Sequence, residues 1–330
     1  MKIALIGAGA IGCLLATRLS DAGASVTLLA RGIPLDTIRR DGISLVTPRN
    51  RVLRSFPTVT DDPLEPGPQD VVFLCVKAYA LRGVIDSLHP LLGPDTIVVP
   101  VVNGIPWWYP YSQPAPLADQ PLTSVDPGSV LWRTVAPERI VGVATYVAVE
   151  NHGPGRIRHI NDQRFVFGDI AGRNRPQVKE LVDLFGRAGF AARATDRIRD
   201  EIWIKLWGNL AFNPLSVLTS ATLGTLCNDP GTRGVGRTMM LEAQAVAERL
   251  GVQFSITADE RIAMAATVGD FKTSMLQDYE AGNRLELEAI IGSVIELAER
   301  VSVDVPTLRS VLALTDLRAR TRTYSPGVAA

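Results

Sequence analysis

The chain has 330 residues, roughly twice a typical domain, and 46% of them are apolar, which is enough for two hydrophobic cores and too many for a disordered chain. Lysine plus arginine and aspartate plus glutamate both number 34, so the formal net charge is zero, and with no long basic run nucleic acid is excluded as a partner. The cysteines Cys13, Cys75 and Cys227 lie far apart with no CxxC spacing, and the histidines are scattered, which argues against a disulfide framework and against a metal site.

The first segment, Met1 to Leu19, has one lysine ahead of an apolar stretch, but its glycine spacing reads better as a ligand loop than as a leader. No run of about 18 apolar residues occurs, so the sequence predicts a protein without a membrane span, placed in the cytoplasm.

Lys2 to Ile6 is a short apolar run. Glycines follow, then a helical pattern through Cys13, Leu14, Leu15 and Leu19 that ends near Gly23. Ser25 to Leu29 reads as a second strand, so the chain opens as a β-α-β unit. Asp70 to Val76 and Thr96 to Val102 are continuous apolar runs, as expected of parallel strands covered on both faces, with a helix predicted from about Ala78 to Leu91 between them. This alternation predicts a doubly wound sheet.

Residues 105–130 begin Ile105-Pro106-Trp107-Trp108-Tyr109 and are too rich in proline for regular structure. An ordered loop near a pocket mouth is expected there. Three alternating segments between Arg139 and Asp169 read as antiparallel strands extending the sheet, followed by a helix over Pro176 to Ala188 and a strand over Phe190 to Ala194. Beyond about Asp196 the pattern is helical, with breaks near Pro214, Asp229-Pro230, Gly251, Gly282 and Pro306. The expected organisation is an α/β N-terminal domain over residues 1–195 and an all-α C-terminal domain over residues 196–330.

Gly7-Ala8-Gly9-Ala10-Ile11-Gly12 is a GxGxxG motif between a strand and a helix. Gly7 permits the tight turn, Gly9 lets backbone amides approach a pyrophosphate, and Gly12 permits close packing of helix on strand. The positive end of the helix favours the anion, which together predict a dinucleotide-binding Rossmann domain. The second strand ends in Ala30-Arg31 where NAD-binding folds usually carry an acid. An arginine attracts a 2′-phosphate, so the sequence favours NADP over NAD, the alternative being an exposed arginine at a loop start. Lys77 follows the buried strand 70–76 at the end where ligands lie, and reads either as a second phosphate or ribose contact or as a solvated lysine.

The segment Glu201 to Leu218 is an apolar helix that nevertheless carries Lys205, Asn209 and Asn213 at i, i+4 spacing, so one stripe presents an ammonium and two amides. Such groups require partners, either in a polar network inside the protein or in a ligand pocket. Pro214 is expected to kink or end this helix just after Asn213.

At this point the chain resembles the ketopantoate reductase (2-dehydropantoate 2-reductase) family, within the 6-phosphogluconate-dehydrogenase-like superfamily. The residues that carry the likeness are GAGAIG, Arg31, the VKA around Lys77, Asn103-Gly104, the K-x3-N-x3-NP pattern at Lys205, and SMLQD at Ser274 to Asp278 followed by Glu286. They span almost the whole chain in order.

The resemblance implies NADPH as cofactor, a small 2-oxo acid as substrate, Lys205 as the general acid and Glu286 as its acidic partner. It implies Asn103, Asn209, Asn213 and Ser274 as substrate-positioning residues, with Arg31, Lys77 and Asn103 reaching the cofactor. Without it, Glu286 reads as a charge on a solvated helix face, since it lies 12 residues from Ser274, about 120° away on one continuous helix; a break at Gly282-Asn283 would bring both to the cleft.

Two departures bear on the substrate: Leu285 stands where the family often has threonine, and the Trp107–Tyr109 loop is bulkier than the usual pattern, as if to cap a different 2-oxo acid. The alternatives to ketopantoate reduction are a related NADP-dependent 2-oxo acid reductase and a non-catalytic NADP-binding redox sensor. The helical domain also offers surface for a homodimer.

Overall fold

The computed structural model describes residues 1–322. Strand β1 (Lys2–Ile6) buries all but its first residue, and helix α1 (Ala10–Asp21) follows a three-residue turn. Strand β2 (Ser25–Leu29) pairs with β1 in parallel, Leu29 opposite Ile6. Helix α2 (Ile33–Asp41) leads away to β3 (Ile43–Val46) and its antiparallel partner β4 (Val52–Ser55), and β5 (Thr58–Thr60) returns to the far side of β2. Strand β6 (Gln69–Leu74) sets Leu74 opposite Ile6 of β1. A further connection, containing the single turn α3 (Ile85–Leu88), carries the chain to β7 (Leu92–Pro100), whose Pro100 lies opposite Leu74.

The first sheet is therefore five parallel strands in the order β5-β2-β1-β6-β7. Its register aligns the carboxyl ends of β1, β2, β6 and β7. The residues just beyond them, Gly7, Arg31, Lys77 and Asn103, are thereby set along one edge, where open α/β sheets bind ligands.

The connection after β6 differs from the continuous helix expected over residues 78–91. It is a 3-10 stretch, Ala78–Val84, then α3, then a 3-10 turn at His89–Leu91. Gly83 and Pro90 both disfavour helix interior, and the first amide, that of Ala78, is taken by the side chain of Glu286.

After the short helix α4 (Val130–Thr134), the strands β8 (Val141–Asn151) and β9 (Arg156–Asp169) form an antiparallel hairpin. The hairpin does not extend the first sheet, to which a single bridge between Val98 and Ile140 connects it, and the two expected segments after Gly155 are one continuous strand. Helix α5 (Pro176–Arg187) leads to β10 (Ala191–Ala194), and a second sheet runs β10-β9-β3-β4 with β8 on the other side of β9. The partners β3, more than a hundred residues earlier, and β10, which follows β9 through α5, draw the hairpin into their own sheet.

The rest is helical: α6 (Ile198–Thr219), α7 (Leu223–Asn228), α8 (Pro230–Arg249), α9 (Ala258–Ala266), α10 (Ser274–Ala281), a π-helical turn at Glu288–Gly292 that continues into α11 (Ser293–Arg300), and α12 (Pro306–Arg320). Pro214 does not end α6, which runs on to Thr219. Proline removes one backbone hydrogen bond, at about 3 kcal/mol, but Leu210 to Val217 are buried and α6 packs against α8, α10 and α12, so burial outweighs the local loss. Among the described residues no helix is long and apolar enough to cross a membrane.

Two hydrophobic cores form, one on each face of the first sheet. One, around Leu5, Leu14, Phe73 and Phe165, lies between the two sheets and α1 and α5. The other takes Ile6, Val72 and Leu74 from the opposite face of the first sheet and continues through Trp107, Trp108 and Tyr109 into Trp203, Trp207 and Met240 of the helical domain. The Trp107–Tyr109 segment is thus core and not the pocket mouth; all three side chains are at most 1% exposed.

Aromatic surface of that size is most stable out of water. The indole of Trp203 donates to the Tyr109 hydroxyl at 2.7 Å. Arg199 fixes the loop backbone, donating to the carbonyls of Tyr109, Tyr111 and Ile170 at 3.0, 2.6 and 2.7 Å. Arg199→Ala strands these three acceptors and is expected to lower stability by about 2–5 kcal/mol. A urea titration should show an earlier midpoint with an unchanged slope, because both halves share the core.

Candidate active site

A cleft of about 880 Å³ runs along the carboxyl edge of the first sheet and down between that sheet and α6, α9 and α10. At its upper end lie Gly7, Ala8, Gly9, Ala10 and Ile11. Two glycines of the motif answer to the protein's own packing: a Cβ on Gly12 would stand 1.9 Å from the Gly7 carbonyl oxygen, and one on Gly7 would stand 2.7 Å from Val76. Gly9 differs, because its Cβ would meet only the Cys75 oxygen, at 4.0 Å. The open space at Gly9 faces the cleft and the amino end of α1, whose first amides have no helical acceptor, and it fits a pyrophosphate.

Arg31 is exposed on the cleft wall and donates to Ser87 Oγ at 2.9 Å, which steadies the guanidinium beyond β2. Lys77 also lines the cleft, but its ammonium is 2.5 Å from Asp278 Oδ2 and 3.4 Å from Glu286 Oε2, so two carboxylates from the helical domain hold it.

Glu286 is 6% exposed. The helix α10 ends at Gly282, in left-handed conformation, and the chain then turns Glu286 inward rather than out to solvent. Its Oε1 accepts from the Ala78 amide at 3.0 Å, and its Oε2 faces Lys77 and accepts from Asn103 Nδ2 at 3.3 Å. Asn103 is held in turn by its neighbour: a Cβ on Gly104 would lie 2.0 Å from the Ala289 oxygen, and Ile105 N donates to that oxygen. This close approach explains the Asn-Gly pair.

Lys205 Nζ donates to Asn103 Oδ1 at 2.9 Å and to Thr145 Oγ1 at 3.0 Å. Burial lowers its pKa to about 8, and the nearby Glu286 carboxylate opposes that shift. Asn209 lies one turn further along α6 on the cleft wall, and Asn213 one turn beyond it. The Asn213 Nδ2 atom is buried with no hydrogen-bond partner, a donor left available at the cleft floor. Ser274 stands exposed on the opposite wall at the start of α10.

Every residue that the sequence offers as a cofactor-binding, substrate-positioning or catalytic group, except Gly12, which packs under the turn, therefore lines this one cleft. Three contributors had no assigned role in the sequence reading: Thr145, Asp278 and Arg261. Thr145 is one residue of an alternating strand, and nothing in the sequence distinguishes it from its neighbours.

A glycine turn at the edge of a parallel sheet, opening onto a lysine held by amide and hydroxyl oxygens, defines a dinucleotide-dependent oxidoreductase with a C-terminal helical domain. Residues 3–172 match the family described as ketopantoate reductase PanE/ApbA, and residues 197–319 match its C-terminal family. The 2-dehydropantoate 2-reductase of Mesorhizobium japonicum is 44% identical over 95% of this chain and 96% of its own length. Among solved structures, a family protein from Ralstonia solanacearum MolK2 superposes with a TM-score of 0.91 at 38% identity, covering 97% of this chain and 98% of its own. The 2-dehydropantoate 2-reductase of Methylococcus capsulatus gives 0.81 at 28% identity, covering 98% and 99%. The chain belongs to the ketopantoate reductase family.

The two kinds of glycine are separable by experiment. Gly9→Ala is expected to fold with an unchanged melting temperature but to bind dinucleotide at least about 10-fold more weakly, whereas Gly12→Ala destabilises the fold before any ligand is added. Thermal melts paired with fluorescence titration of the dinucleotide check both.

Proposed function

We propose that this protein catalyses the NADPH-dependent reduction of 2-dehydropantoate to pantoate, with residues 1–195 binding the dinucleotide and residues 196–330 completing the substrate site. The observation that carries the reading is the Lys205 ammonium, held at the junction of cofactor groove and helical domain by Asn103 and Thr145. When bound, the nicotinamide supplies hydride to the carbonyl carbon.

The chain's own residues manage the charge. Hydride addition builds negative charge on the carbonyl oxygen, and an ammonium aimed there stabilises it and delivers a proton. Lys205 has three protons and two protein acceptors, so the third is available to substrate. Asn103 receives Lys205 on one side and donates to Glu286 on the other, which fixes the orientation of its amide. Asn209, Asn213 and Ser274 surround the remaining space with donors suited to a carboxylate and a hydroxyl. Arg31 supplies the positive charge for a 2′-phosphate, and Lys77 lies in the same groove with its charge partly balanced by Asp278 and Glu286.

Reduction needs the charged form of Lys205, so kcat should be flat in acid and fall tenfold per pH unit above about 8, while pantoate oxidation rises through the same pH. Lys205→Ala should lower kcat by about 10²- to 10⁴-fold and remove that limb, with NADPH affinity little changed. A pH profile that keeps its alkaline limb in the variant assigns the proton to another group.

Arg31→Ala should weaken NADPH binding by about 10- to 150-fold and leave NADH binding nearly unchanged. Equal losses for both dinucleotides in a fluorescence titration would remove Arg31 from cofactor choice.

A further inference from the structure

Beyond Lys205 the cleft continues into a chamber that the chemistry above does not use. Among its lining residues are the apolar Phe212 of α6, Leu223 of α7, Ala265 of α9, Val268 and Phe271, and one charged group stands with them, Arg261. Arg261, Ala265 and Val268 follow one another at i, i+4 and i+7, so α9 and its end present a single face to the cleft.

The arginine is admitted by a gap in α6. A Cβ on Gly208 would stand 2.5 Å from Arg261 Nη2, so only the absence of a side chain there lets the guanidinium lie against the helix. Gly208 is three residues after Lys205, on the same side of α6, where side chains are about 5–6 Å apart at Cβ. The ammonium and the guanidinium thus belong to one wall of one cleft.

Among the described residues no carboxylate forms an ion pair with Arg261 and no hydrogen bond engages its guanidinium; the charged and titratable groups near it are Arg164, Tyr146 and Cys227. Arg164 packs its guanidinium 3.9 Å over the ring of Tyr146, itself a cleft residue. A half-buried guanidinium with no anion beside it is poorly compensated, and burial works against its charge. A ligand anion would supply the missing partner.

We propose that Arg261 is the recognition site for a second anionic group at the far end of the substrate, so that the cleft also takes 2-oxo acids bearing a distal carboxylate across a short apolar chain. The proposal rests on the reading of Lys205 as the group that meets the 2-oxo function. Reduction follows the same balance: the keto carbon accepts hydride from NADPH, its oxygen accepts a proton from Lys205, and a 2-hydroxy dicarboxylate and NADP⁺ result. The apolar wall packs the intervening methylenes, and Arg261 pairs with the carboxylate beyond them.

The test compares 2-oxoglutarate with 2-oxopentanoate, which has the same chain length and no distal charge. Dissociation constants are measured on the full-length protein with NADP⁺ bound, so the comparison does not depend on turnover. The wild type is expected to bind 2-oxoglutarate about 10- to 100-fold more tightly than 2-oxopentanoate, the range of one charge-assisted contact. Arg261→Gln should bring that ratio close to one and Arg261→Lys should restore part of it. Gly208→Ala, which keeps the arginine but fills its gap, should reduce the ratio in the same direction and serves if Arg261→Gln does not fold.

Equal affinity of the wild type for the two acids overturns the proposal, as does a ratio that survives both Arg261→Gln and Gly208→Ala. Wild-type turnover of 2-dehydropantoate, assayed in parallel, tests the previous subsection independently: its absence refutes that reading and leaves the binding ratio to decide the role of Arg261.

Discussion

A lysine ammonium taken into a cleft loses hydration, and the loss favours the neutral amine; a carboxylate and a few well-aimed oxygens restore part of it. Lys205 is poised by that balance, with burial drawing its pKa down and Glu286 holding it up. The rest of the site serves the same end. Asn103 accepts from Lys205 and donates to Glu286, Glu286 accepts from the Ala78 backbone, and Lys77 offsets the charge of Glu286 and Asp278. These groups come from the ends of β6 and β7, from α6, from α10 and from the turn after it. Only when sheet and helical domain are in register does the ammonium find its partners.

Much of this was legible in the sequence because it is local. The glycine spacing after β1, the switch from β-branched to helical patterns, the polar stripe on α6 and the break at Gly282 each depend on residues within a turn or two of one another, which is where periodicity and capping carry information. Lys205, Asn209 and Asn213 were conspicuous because polar groups on so apolar a helix require a reason.

What was not legible depends on pairing across the chain. The second sheet exists because β9 finds β3, more than a hundred residues earlier, and nothing in the alternation of β8 and β9 names that partner. The prolines of the aromatic segment report the absence of regular structure, and its place after Asn103-Gly104 points to the pocket mouth, but neither says anything about depth. Its burial follows from Arg199 and Trp203, both in the helical domain. Asp278 and Arg261 lie on helices with other charges nearby, and their importance comes from what faces them across the cleft. Pro214 does not end α6 for a related reason: the packing that surrounds the helix outweighs the local penalty.

The loop from Trp107 to Tyr109 bears on how such a protein can change over evolutionary time. Because its aromatic rings complete the interior of the helical domain while its backbone issues from the nucleotide-binding sheet, neither half presents a finished surface to the other. A helical domain transplanted onto another dinucleotide-binding sheet would leave a vacancy where three large side chains now sit, and the donor sheet would carry those side chains into water. The two halves are therefore complementary across one shared core, and neither could take an unrelated partner without repacking it.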